Sequence, residues 1–83
     1  MPFMEQRTAL AAQLAQLEDL LRQAQGLSRA LEERTQAAAD QTESFADDTA
    51  LAHVAATARR ARQDLGALIR VVGGARNQVG SSQ

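Results

Sequence analysis

Residues spaced alternately four and three apart run through the first half of this chain: Phe3, Arg7, Leu10, Leu14, Leu17, Leu21, Ala24, Ser28, Leu31, Thr35 and Ala38. Only an α-helix brings such positions onto one side, because the mean step lies close to a helical turn and far from the two-residue period of a strand. A second seam of the same kind follows: Leu51, Val54, Ala58, Ala61, Leu65, Leu68 and Val72. Between them the register fails. Asp40 to Asp48 is polar and acidic, with Thr42, Ser44 and Asp47 as candidate helix caps. Ser44 followed three residues later by Asp47 resembles a capping box, with Asp in place of the usual Glu or Gln.

The pattern predicts an all-α chain with one helix over about residues 3–39, a turn over about 40–47 and a second helix over about 48–72. No Pro or Gly marks the turn, so a single continuous helix is the alternative. Gly73-Gly74 reads as the stop that closes a hairpin domain of residues 1–74, and residues 75–83 read as a flexible tail. An antiparallel hairpin turning near Glu43 sets facing residue numbers at a sum of roughly 87. Leu14, Leu17 and Leu21 then meet Val72, Leu68 and Leu65, while Ala24 and Ser28 meet Ala61 and Ala58. Leu10, Leu14, Leu17, Leu21, Ala24, Ala58, Ala61, Leu65 and Leu68 are the expected hairpin core. On this reading Leu17→Asp buries an unpaired charge and unfolds the hairpin.

Composition makes that core thin. The 83 residues are 45% hydrophobic but only 2% aromatic, and much of the apolar fraction is alanine. Alanine favours helix but adds little burial energy. No cysteine is present to form a disulfide or thiolate metal site, so oligomerisation is the remaining source of stability. The coiled-coil-like hairpin is therefore expected to complete a four-helix bundle by self-association.

One stretch carries more apolar surface than a hairpin seam needs. Leu20 and Leu27 stand beside the first seam and form a second stripe with Ala24 and Leu31. Ile69 and Val71 flank Leu68 and Val72 in the same way. Leu20, Leu27, Leu31, Ile69 and Val72 are the expected partner-binding residues, together with Phe45 in the turn. Phe45 has two readings: a lid over Ala38 and Leu51, or an anchor for a partner.

Net charge is -1, and all nine basic residues are Arg. Arg59, Arg60 and Arg62, with Arg70 and Arg76, lie toward the end of the second helix, and the acids lie at its start. That arrangement suits the helix dipole. Nucleic-acid binding lacks a helix-turn-helix pattern, lysines and stacking aromatics. No apolar run approaches the roughly 20 residues needed to span a bilayer. The opening Met-Pro-Phe-Met-Glu has no basic segment followed by an apolar one, so a soluble cytoplasmic protein is expected. A signal-less secretion route would leave no mark in these features. His53 is the single histidine, Ser28, Ser44, Ser81 and Ser82 lack a base and orienter, and Gly73-Gly74 follows a helix instead of opening one. The expectation is a protein without catalysis, metal, cofactor or small-molecule substrate.

The outline resembles the small WXG-motif substrates of type VII secretion, helical hairpins with an aromatic turn. Phe45-Ala46-Asp47 stands at the place of their Trp-x-Gly, with Phe for Trp and Asp for Gly. Their Tyr-x-x-x-Asp/Glu signal is absent near the end. In size and in the apolar stretch Leu65 to Val72 the chain is also similar to the hairpin chaperones of type III needle subunits. Either resemblance implies a heterologous partner. The residues alone imply a protein-interaction module that forms a homo-oligomer (a dimer) or pairs with another helical protein.

Overall fold

The computed structural model describes residues 2–81, with side chains for residues 4–80. These residues form two helices, α1 (Pro2–Gln41) and α2 (Phe45–Ser81), packed against each other without a strand. Phe3, first in the predicted seam, falls outside the described side chains, and Ser82 and Gln83 of the predicted tail fall outside the described residues.

The turn is only Thr42 to Ser44, much shorter than the polar stretch suggests. Asp40 and Gln41 continue α1, because nothing in them breaks a helix. Ser44 starts α2: its hydroxyl accepts the Asp47 amide at 3.4 Å, and its carbonyl accepts the Asp48 amide at 2.9 Å. The reciprocal half of a capping box is replaced, since the Ser44 amide donates to the Thr42 hydroxyl at 3.3 Å. Asp47 and Asp48 then sit in the first turn of α2, where the helix dipole favours acids.

At its other end α2 does not stop at Gly73-Gly74. It continues to Ser81, so residues 75–81 of the predicted tail are helical. Each glycine costs about 1 kcal/mol relative to alanine, but the inward-facing series continues beyond them through Arg76 and Val79 along α1. Packing across the hairpin thus overrides the local stop signal.

Cross-helix bonds fix direction and register. Gln25 donates to the Arg62 carbonyl at 3.4 Å, Arg59 pairs with Glu32 at 3.6 Å, and Arg76 pairs with Glu18 at 2.8 Å. Partners rising on one helix fall on the other, so the helices are antiparallel, with facing numbers that sum to about 90. The result is a rod of 65 × 14 × 13 Å. Its radius of gyration is 18.6 Å, against about 12 Å for a compact domain of this length.

The seam between the helices is phased differently from the expected one. On α1 the inward-facing residues are Arg7, Ala11, Leu14, Glu18, Leu21, Gln25, Ser28, Glu32, Thr35 and Ala39, with Ala24 and Ala38 at the edge. On α2 they are Leu51, Ala55, Ala58, Arg62, Leu65, Ile69, Val72, Arg76 and Val79, with Ala61 at the edge. One of the two alternating positions is as predicted on each helix. The other is replaced, on both, by the next residue along. This turns each helix by about 50° relative to the expected packing.

Leu10, Leu17 and Leu68 are therefore outside the core in which they were expected. Leu14, Leu21, Ala24, Ala61 and Leu65 are half-buried and Ala58 is buried. Ile69 and Val72, expected at a partner surface, lie half-buried between the helices. Apart from Ile69 the substituted positions are polar or small, and cross-helix ion pairs occupy Glu18, Glu32, Arg62 and Arg76.

Candidate interaction surface

Turning both helices by this half-position puts the large apolar side chains on one side of the rod. On α1 these are Leu10, Leu17, Leu20, Leu27 and Leu31, and on α2 they are Val54, Leu68 and Val71. Each stands one residue before an inward-facing position or its edge. In antiparallel helices such equivalent flanks fall on the same side, so the two stripes merge into one face. Leu20, Leu27 and Val71 are 61%, 73% and 69% exposed. From Leu10 to Leu31 the face runs about 32 Å along the rod. A shallow, open depression of about 360 Å³ lies on it, lined by Leu27, Ala30, Leu31 and Arg34.

The opposite side is polar. It carries Asp19, Arg22, Arg29 and Glu33 from α1 and Arg59, Gln63 and Arg70 from α2, all exposed. Phe45 belongs to neither core nor face. It opens α2 and is 86% exposed, so it forms no lid over Ala38 and Leu51.

Charge sits between the helices in place of the leucines. Glu18 is only 5% exposed; one carboxylate oxygen meets Arg22 at 2.7 Å and the other meets Arg76 of α2 at 2.8 Å. The hydrogen bond from Arg22, aided by the charges of Arg76 and Arg22, holds this carboxyl below the usual glutamate range against the opposing effect of burial. Glu32 receives Arg62 and Arg59 from α2. The Arg62 hydrogen bond lowers its pKa likewise and raises that of the Arg62 guanidinium in return. One glycine of α2 makes room for a seam side chain, Gln25. A Cβ at Gly66 would lie 3.0 Å from the Gln25 amide nitrogen, whereas one at Gly73 would lie in ordinary contact with Glu18 at 3.8 Å.

The remaining candidate groups stay local. The Ser28 hydroxyl donates to the Ala24 carbonyl at 3.0 Å and Thr35, buried, donates to the Leu31 carbonyl at 2.6 Å, each within its own helix. His53 is exposed. Among the described residues no three His, Asp or Glu side chains gather as a metal-binding group, and no helix is long and apolar enough to cross a membrane.

Leu20, Leu27 and Leu31 stand on the apolar face, and Phe45 lies apart from it. Sequence reasoning did not assign Leu10, Leu17, Val54 and Leu68 to that face. The available signal was charge: acids at Glu18 and Glu32 recur at the same phase as arginines at Arg62 and Arg76, which suits pairs across an antiparallel seam. No family model, curated protein or solved structure matches the chain.

Proposed function

We propose that this chain is a non-enzymatic protein–protein interaction module, a helical hairpin whose core is completed by self-association or by another helical protein in a four-helix arrangement. The direction in which the hairpin turns its side chains carries this reading. An isolated hairpin maximising its own burial would point Leu10, Leu17, Leu31 and Leu68 inward. Here Glu18, Gln25 and Glu32 of α1 and Arg62 and Arg76 of α2 take the inward positions, and all four leucines are more than two-fifths exposed. Ala58 is the only buried apolar residue among those described. Covering a half-exposed leucine contributes roughly 1 kcal/mol, so the face holds several times that in stability which a partner would release. In the heterologous case the partner supplies the missing helices, as the resemblance to secretion-system substrates and chaperones implies.

The test is thermal unfolding followed by circular dichroism over a wide range of protein concentration, with amide hydrogen exchange on the same samples. The expected result is weak protection and a low, broad transition when dilute, rising with concentration or on addition of a helical partner. A dilute monomer that unfolds sharply at a concentration-independent temperature, with slowly exchanging amides, would show that the face needs no cover.

A further inference from the structure

Resting on the interaction reading, we infer that the occupant of the apolar face is a second copy of this chain, stacked face to face with its long axis reversed. Three observations converge on this arrangement.

The first is area. The rod exposes 6309 Å², whereas a compact protein of its 8.9 kDa exposes about 4,800 Å². The excess is well above the roughly 800 Å² that each partner contributes to a standard stable interface. The second is symmetry. On α1, Leu17 and Leu27 are centred on position 22, and so are Leu20 and Ala24. The register between the helices, with facing numbers summing to about 90, sets Leu68 of α2 at that same level. A two-fold axis crossing both helices there places Leu17 on Leu27 of the second copy, Leu20 on Ala24, Ala61 on Ala75, and Leu68 on its own equivalent. Such a self-complementary patch is what an isologous dimer requires.

The third is charge. The turn end carries Asp40, Glu43, Asp47 and Asp48, with no basic residue between Arg34 and Arg59. Both ends lie about 30 Å from the proposed axis. Reversing the second copy sets the two acidic turns at opposite ends of the dimer, whereas parallel stacking would bring them together.

Because the chain has no cysteine, introduced thiols report the geometry directly. Under mild oxidation Leu68→Cys is expected to form disulfide-linked dimers across the axis. Ala61→Cys and Ala75→Cys are each expected to stay unlinked alone and to crosslink when mixed. These small-residue variants preserve the test if Leu68→Cys weakens the interface. Absolute mass by light scattering on the unmodified chain is expected at twice 8.9 kDa. A dimer in which neither the Leu68→Cys chain nor the mixed pair crosslinks overturns the antiparallel stacking. A monomer at every concentration overturns the second copy as occupant. Its unfolding then separates the two failures: a loosely protected monomer leaves the interaction reading intact, and a sharply folded one removes both.

Discussion

At the scale of single residues, the seam is held by carboxylates that arginines keep ionised. Glu18 and Glu32 both have pKa values lowered by arginine hydrogen bonds, from an ordinary value of 4.5. The unfolded chain therefore binds more protons than the folded one just below that value. The stabilisation is fully present above pH 4.5 and is lost as pH falls through the lowered folded-state values. Thermal melts by circular dichroism are expected to show the transition falling in acid. The double variant Glu18→Gln with Glu32→Gln is expected to be less stable at neutral pH and less sensitive to acid. Arg62 shifts upward from an already high value, so it stays charged throughout this window.

The glycines offer a second residue-scale test. Nothing lies within 4 Å of a Cβ added at Gly26, which is exposed in mid-helix. Gly26→Ala is expected to stabilise the fold by about 0.5–1 kcal/mol, read by urea denaturation. Gly66→Ala is expected to give less, because its methyl group must displace the Gln25 amide that bonds Arg62.

At the scale of elements, both helices were legible from the alternating apolar spacing, but their ends were less so. The Ser44 cap was visible as a serine ahead of paired acids, and the structure narrows the turn around it. Ser44→Ala is expected to cost about 1 kcal/mol in urea denaturation, with fraying confined to the start of α2 in hydrogen exchange. The far end of α2 could not be read locally. A glycine pair stops a helix only when no packing surface continues beyond it, and here Arg76 reaches Glu18 from the next turn.

At the scale of the whole molecule, the rod's shape separates two kinds of apolar residue that the sequence presents alike. Leu21 is half-buried between the helices, while Leu17 stands on the open face with Leu27. Leu21→Asp is therefore expected to disrupt the hairpin itself, since its charge has no partner there. Leu17→Asp is expected to behave like Leu27→Asp, losing association while keeping helix content at high concentration. Sedimentation and circular dichroism on the three variants distinguish these outcomes. Helix loss in Leu17→Asp as severe as in Leu21→Asp would restore Leu17 to the core.

The sequence by itself determined helicity, the break between two helices, the thinness of the core, and the surplus of apolar surface on α1. These follow from spacing, propensity and composition, which act over a few residues. The phase of each helix was decided only in the tertiary structure. Leucines occupy adjacent positions around α1, so its apolar arc is wider than one seam and does not say which edge faces α2. The choice follows bonds between groups far apart in the chain, Gln25 with Arg62 at 37 residues and Glu32 with Arg62 at 30. Such pairs have no local signature. Once they lie inside, the leucines of both helices are left together on one face.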